Sequence, residues 1–516
     1  MKISYNWLKD YVKTTISPKE IGKILTETGL EVESIEKIEA VKGGLEGVYV
    51  AEVITCEKHP NADKLKVTTV STGGEIMQVV CGAPNVAAGQ KVLLAKVGCT
   101  LYPKNQDPLK IKISKIRGVE SEGMLCAEDE LGLGESHDGI IILDSNAEIG
   151  KPAAQYFDLE DDYQFEIGLT PNRADAMGHI GVARDLIAYL NFHQKQNLTL
   201  NLPPVESFQV QHTNCKIDIN VENNELCPRY IVTAIQNVTV KPSPSWLQKR
   251  LRAVGLSPIN NIVDVTNYVM RELGTPLHAF DAKAVKGKIK VKNAEEGDLF
   301  TTLDGIQRTL SIDDLMITNG NDYLCIAGVF GGVASGIKES TTDVVLEVAY
   351  FNPTSIRKTA KLHGLNTDAS FRFERGVDPD KIAYALRRAT LLIQEVAGGE
   401  IAMNVVDIYP EKIENKRVEF YYERCNTLLG TSIERDAIDR ILELLDIQIL
   451  NKTNESAILE IPLYRVDVTR EIDVIEEVLR IYGFNNVPLP EKLNTSVMST
   501  PNFNNEKIQG ILSEML

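Results

Sequence analysis

The sequence predicts an α+β protein of several domains, on three observations. The chain has 516 residues, and at roughly 150 residues per domain three to five units are expected rather than one core. The local pattern runs from helix to short alternating strands, back to helix, and then to a mixture of both. The composition, 43% hydrophobic and 25% charged, is that of a globular chain.

The elements follow in order. Residues 1–39 read as helical: Ser17 caps, Pro18 takes the first position, Glu20 the first turn, Ile21, Ile24 and Leu25 the apolar face, and Gly29 stops the helix. From Val48 to Leu143, strands such as GVYVAEVITCE, LKVTTVST and MQVVCG are separated by Gly, Pro and Asn turns, the pattern of a small barrel over residues 40–151. Helix returns at GHIGVARDLIAYL, so the barrel reads as an insertion into a helical frame of residues 1–39 plus 152–200. After a polar joint, NLTLNLPPVESFQ, residues 211–407 mix strands (CKIDINV, RYIVTAIQNV, GKIKVKNA, VVLEVAYF) with helices. One helix, SWLQKRLRAVG, ends on Gly255; the other, DPDKIAYALRRATLLIQEVAGG, takes Asp378 as cap, Pro379 at its first position and Gly398 as stop. Residues 408–484 form a smaller, winged-like α+β unit built on SIERDAIDRILELLD, AILEIPL and EIDVIEEVLRIYG. Residues 485–516 begin a further unit, and the expectation is a cut chain.

Gross properties exclude several functions. No apolar run approaches the roughly 18 residues of a membrane span, and MKISYNWLKDYV lacks a secretory core, so a cytoplasmic protein is expected. Eight scattered cysteines without a C-x-x-C pair argue against a zinc ribbon and a disulfide framework. A net charge of −17 speaks against nonspecific polyanion binding, which needs clustered Lys and Arg. No P-loop or G-x-G-x-x-G is present, so ATP binding is not visible.

Three stretches of the barrel carry more. HPNADKLKV (His59 to Val67) reads alone as a turn in which Asn61 and Asp63 cap local amides. Together with VVCGAPNVAAGQKV and KIRGVESEGMLCAEDELGL it resembles the tRNA-binding OB-fold module, which offers a strand face and loops to single-stranded or bent RNA. Lys104, Lys110, Lys112, Lys115 and Arg117 are the candidate RNA contacts, with a solvated charged strand as the rival reading.

Further along stand GLSPINNIVDVTNYVMRELGTPLHAFD, CIAGVFGGVASGI, VVLEVAYFNPTSIRKTAKLHGLNTDASFRFERGVDP and RVDVTREIDVIEEVLRIYGFNNVP, with TPNRADAMGHIGVARD in the frame. In this order they resemble the β subunit of bacterial phenylalanyl-tRNA synthetase. The resemblance implies an editing domain at 211–407 that hydrolyses tyrosine wrongly attached to tRNA-Phe. It also implies a separate α subunit that performs the ATP-dependent charging in an α2β2 heterotetramer, and a synthetase-like core beginning at 485–516. The implied editing pocket is His278, Glu347, Thr367 and Ala369, with Gly331 allowing close approach.

The chemistry expected there is specific. Phenylalanine and tyrosine differ by one hydroxyl, and a buried acceptor can demand it; Glu347 is that candidate, with an ion pair inside the sheet as its rival. His278 either packs, orients water or acts as a base near neutral pH. Thr367 would bind the ester region and Ala369 would gate size. Asp467, Asp473, Glu476 and Glu477 are the implied magnesium ligands, shared with the α subunit. Their rival readings are a helix-dipole acidic bias and neutralisation by Arg465, Arg470 and Arg480. Ser257 departs from the family, in which a basic residue precedes P-I-N. An inert tRNA-docking scaffold is the alternative function.

Overall fold

The structure, a computed structural model, describes residues 1–103, 107–134, 136–489 and 505–516. Lys104 and residues 490–504 of the segment 485–516 expected to open a further unit lie outside the described residues.

The frame is not purely helical. Glu31–Ile38 is a strand, paired with Asp162–Gly168, which also pairs with Lys2–Ser4 in a three-stranded antiparallel sheet. Val32, Ile35 and Ile38 lie three apart, a helical spacing, yet cross-strand pairing overrides it and leaves Ile35 38% exposed on an edge strand. Helices Tyr5–Tyr11, Pro18–Glu27 and His179–His193 complete the frame. Ser17 accepts from the Glu20 amide, the cap its position implies.

Because Ile38 and Asp162 are register partners, the chain leaves the frame and returns to it at adjacent points. Between them lies a five-stranded antiparallel sheet in the order Gly123–Leu125, Lys91–Lys96, Val48–Lys58, Lys66–Ser71, Ile76–Cys81. Its two outer strands are bridged where the Glu122 amide donates to the Gln78 carbonyl at 2.8 Å and the Val80 amide to Ser121 Oγ at 3.1 Å. The sheet thereby closes on itself.

The large unit stacks two sheets. The first runs Leu277–Asp281, Val344–Tyr350, Arg229–Gln236, Glu400–Ile401; the second runs Asp218–Val221, Lys288–Asn293, Leu315–Thr318, Tyr323–Ile326, Phe330–Gly331. One face of the first sheet (Ile231, Ile235, Leu346, Val348) packs on helices Asn261–Leu273 and Ile382–Ala397. The other (Val232, Phe280, Val345) packs on Ile289, Ile317 and Ile326 of the second sheet. Burial on both faces is why VVLEVAY reads as a continuous apolar run. The helix expected to start at Pro379 starts at Ile382, and Asp378 instead accepts from the Asp380 amide in the turn before it.

The frame shares the first of these cores. Trp7 stacks on Tyr268 and on His179, at ring-centroid distances of 4.4 and 3.9 Å. Tyr11 donates to Glu272 at 2.7 Å, and Glu272 is ion-paired to Arg388 at 3.1 Å.

The unit near the end of the chain pairs Lys416–Tyr421 and Gln448–Lys452 with a central Ser456–Ile461, covered by helices Arg435–Leu444 and Glu471–Tyr482. It is held to the frame by buried charge. Arg173 pairs with Asp175 at 2.9 Å and with Asp185, Arg480 bridges Asp185 at 3.0 Å and Glu477 at 2.6 Å, and Arg465 reaches Glu477 at 2.6 Å. Three guanidiniums thus meet three carboxylates, which relieves the desolvation each would suffer alone. No described helix is long and apolar enough to cross a membrane.

Removing one member of that cluster leaves buried charge unpaired. Glu477→Ala is expected to cost about 3–5 kcal/mol and to loosen this unit, read as faster thiol labelling of Cys425, which is fully buried there. Unchanged labelling and an unchanged melt would show that the cluster does not hold the two parts together.

Candidate functional site

A cavity of about 220 Å³ opens between the two sheets, the helix Asn261–Leu273 and the short helix Asp368–Phe373. His278, Gly331, Glu347, Thr367 and Ala369 all line it. Sheet register accounts for two of them, since His278 and Glu347 are direct partners across Leu277–Asp281 and Val344–Tyr350 and therefore project from the same face. The volume lies below the ~300–1,000 Å³ typical of sites for larger ligands, a size suited to a single ring.

Glu347 is the only charged residue in a strand otherwise apolar up to Tyr350, and it is 5% exposed. Its Oε2 is buried and has no hydrogen-bond partner. Among the described residues it joins no ion pair, so the salt-bridge reading fails. Burial pushes its carboxyl up to about 7, against a smaller opposing pull from the Tyr230 hydroxyl. At neutral pH it is poised between acid and carboxylate.

His278 is half-buried, edge-on to Phe280 with ring centroids 4.4 Å apart, and its Nε2 is buried without a partner. Burial pulls the imidazole down to about 4, so it is neutral at pH 7 and too weak a base to serve as an efficient proton acceptor there. It remains able to orient a water or a ligand hydroxyl.

Thr367 differs from expectation. As N-cap of Asp368–Phe373, its hydroxyl donates to the Val329 carbonyl at 2.9 Å and accepts from the Ser370 amide at 3.0 Å. These bonds make it a brace that sets Ala369 on the cavity wall. Ala369 adds only a methyl group there. Gly331 is tight: a Cβ would sit 2.9 Å from His278 Cε1 and 2.9 Å from Leu303 Cδ1.

Sequence reasoning missed Asn267 and Met270, which reach the wall from a helix whose other faces are core. It also missed Cys325, a buried thiol on the opposite sheet. An unpaired polar Asn267 between the core positions Val265 and Val269 was the available signal.

The basic run lies elsewhere, on the barrel. Lys110, Lys112, Lys115 and Arg117 are exposed. Lys115 lies on the hairpin Ser114–Ile116 and Val119–Ser121, paired with Glu120 in register, and Arg117 (φ 47°) with Gly118 (φ 96°) makes its turn. Positive φ at both central residues suits a tight hairpin turn. The His59 turn braces this hairpin: the Asn61 amide donates to His59 Nδ1 at 3.0 Å, which leaves Nε2–H to donate to the Ile116 carbonyl at 3.0 Å. Asn61 Nδ2 adds a bond to the Arg117 carbonyl at 3.2 Å. Ser257 is exposed and does not line the cavity.

The four acidic residues do not form a metal cage. Both oxygens of Glu477 are taken by Arg465 and Arg480, whose charges outweigh burial and hold its carboxyl well below the usual range. Asp473 accepts from the Thr469 and Arg470 amides and from the Arg470 side chain, while Glu476 is exposed and Asp467 takes a 3.3 Å bond from Asn172. Among the described residues no group of three or more His, Cys, Asp or Glu is arranged to hold a metal ion. Arginine neutralisation is the arrangement found.

Two measurements probe the cavity. Gly331→Ala is expected to cost about 1–3 kcal/mol through crowding; an unchanged melt would show that the ring moves aside freely. For Glu347, the folded pKa lies above the unfolded one, so its contribution favours folding at low pH and is lost as pH rises from 4.5 to about 7. Glu347→Gln should therefore gain up to about 3 kcal/mol relative to the parent between pH 4 and pH 8. A pH-independent difference in urea unfolding would contradict the burial of that charge.

Comparison with known proteins fits this layout. Residues 48–152 match the family "Putative tRNA binding domain", 226–398 the B3/4 domain, and 418–484 the tRNA synthetase B5 domain. The phenylalanine–tRNA ligase beta subunit of Bacteroides fragilis (strain YCH46) is 50% identical over 519 aligned residues, covering 100% of this chain and 63% of that protein. That of Porphyromonas gingivalis is 49% identical over 523, with the same coverage of each. A solved N-terminal fragment of the phenylalanyl-tRNA synthetase beta subunit from Pyrococcus horikoshii is 16% identical, covering 62% of this chain and 87% of that one at a TM-score of 0.33. The chain thus spans 63% of the length of the curated relatives it matches. With that resemblance running over the whole of it and three domain matches in order, the chain belongs to the phenylalanine–tRNA ligase beta subunit family.

Proposed function

We propose that this chain holds tRNA on its barrel and hydrolyses tyrosine esterified to tRNA-Phe in the cavity between its sheets. It would do so as part of a cytoplasmic phenylalanine–tRNA ligase whose α subunit performs the ATP- and magnesium-dependent charging in an α2β2 assembly. The observation that carries the reading is the unpaired, buried Glu347 carboxyl facing a ring-sized cavity beside His278.

The phenol of a tyrosyl ester donates to Glu347, which removes that oxygen's unmet demand. A phenylalanyl ester leaves the demand in place and binds more weakly by roughly 1–3 kcal/mol. The ester is already activated, so hydrolysis needs placement more than strong base catalysis. Neutral His278 orients a water, whose oxygen bonds to the carbonyl carbon. The ester C–O bond breaks, and the tRNA hydroxyl leaves with a proton ultimately drawn from that water. Thr367 acts indirectly, by setting Ala369 so that the ring has room. The closed five-stranded sheet is read as an OB-fold, with Lys110, Lys112, Lys115, Arg117 and also Lys104 contacting the RNA backbone.

Release of tyrosine from tyrosyl-tRNA-Phe, with the phenylalanyl form spared, tests the reading directly. No release would leave an inert docking scaffold. Glu347→Ala should reduce the preference by about tenfold or more; an unaltered preference removes the acceptor role. Because a carboxylate accepts better than the acid, the preference should climb from pH 6 to pH 8. Lys115→Ala with Arg117→Ala should flatten the salt dependence of tRNA affinity by roughly 0.7–0.9 in slope per lost phosphate contact, and an unaltered slope would place the RNA elsewhere.

A further inference from the structure

We propose that Tyr230 is a positioning residue for the hydroxyl-reading carboxylate, its buried, unpartnered phenol being the donor that takes one oxygen of Glu347 when a ligand takes the other. The inference rests on the reading of the cavity as an editing site and deepens it.

Tyr230 belongs to the strand Arg229–Gln236, next to the strand of Glu347. Val232 is the register partner of Glu347, so Tyr230, two residues away, projects from that same face. The phenol does not line the cavity. Tyr230 is fully buried and its Oη has no hydrogen-bond partner. Glu347 Oε2 and His278 Nε2 are in the same condition. Buried polar atoms are rarely left unpaired, because each costs desolvation without return. Here three lie on one face of three adjacent strands, two of them on the cavity wall, which points to an arrangement completed by a bound polar group.

The chemistry of the three atoms differs. A phenol hydroxyl can donate to a carboxylate, as can the single N–H of neutral His278, whereas an ionised Glu347 only accepts. Tyr230 is thus a donor that the protein supplies on the strand next to Glu347, and a tyrosyl ligand brings another. A carboxylate has room for both, one at each oxygen. The other titratable groups that face Glu347 are His278, neutral, and the thiols of Cys227 and Cys325, kept protonated by burial. Asp368, on the cavity wall, is held by Arg271 at 2.7 Å and by Arg372 at 3.2 Å. None of these offers Glu347 a proton in exchange for that of Tyr230. A hydrogen bond donated by Tyr230 would favour the charged form of Glu347, the direction in which the nearby hydroxyl already pulls it against burial.

Tyr230→Phe keeps the ring and deletes only the hydroxyl. The test measures release from tyrosyl- and phenylalanyl-tRNA-Phe against pH, in this chain and in the same subunit assembled with its partner. The expected result is a tyrosyl-to-phenylalanyl rate ratio lowered roughly tenfold at pH 7, a midpoint for its rise displaced to higher pH, and recovery of the ratio above pH 8. A packing role would instead lower both rates together at every pH, or lower the melting temperature without displacing the midpoint, and either outcome overturns the inference. If the unaltered protein discriminates and Tyr230→Phe discriminates equally well with the same midpoint, Tyr230 has no part in it. Absence of release by the unaltered protein would instead sink the editing reading itself.

Discussion

The rest of the site depends on one carboxyl group kept dry and unpaired in the middle of a β-sheet. Glu347 sits where its neighbours along the strand are Val345, Leu346, Val348 and Ala349, all buried. Placing a charge there is unfavourable, and burial accordingly pushes its carboxyl up to about 7. Natural strands seldom retain such a residue for stability. A ligand that brings one well-placed donor recovers part of the desolvation free energy, and a ligand without the donor cannot.

Such a group is tolerated because the surrounding architecture over-determines it. The central strand is hydrogen-bonded on both sides, by Leu277–Asp281 and by Arg229–Gln236. Its opposite face is packed against two helices and the frame, which share one core through Trp7, Tyr11 and Glu272. Thr367, whose hydroxyl is spent on backbone partners, fixes the far wall. These elements leave little freedom for the sheet to collapse around the carboxyl or to let water surround it.

Charge is handled in the opposite way at the junction of frame and B5 domain. There three arginines and three carboxylates are buried together and ion-paired, which makes a firm seam and engages both oxygens of Glu477 with arginine. The contrast between a paired and an unpaired buried acid separates a structural cluster from a candidate binding site. Spacing on a helix could not separate them, since i, i+3 and i+4 carboxylates look the same in either use. The same limit applied to Val32, Ile35 and Ile38, whose helical spacing lost to strand pairing with Asp162–Gly168.

The sequence alone determined the order of the units, the insertion of a barrel into a frame, the main helices with their glycine stops, and the family to which its motifs point. These are local or linear properties: periodicity, caps, turns and ordered motifs survive without knowledge of neighbours. Only the tertiary structure decided that His278 and Glu347 are paired across strands, that Tyr230 shares their face of the sheet, that Thr367 is a brace, and that Glu477 belongs to arginines. Each of those depends on strand register or on contacts between residues distant in the chain, such as Asp185 with Arg480, and pairwise burial of that kind has no signature along a single strand of sequence.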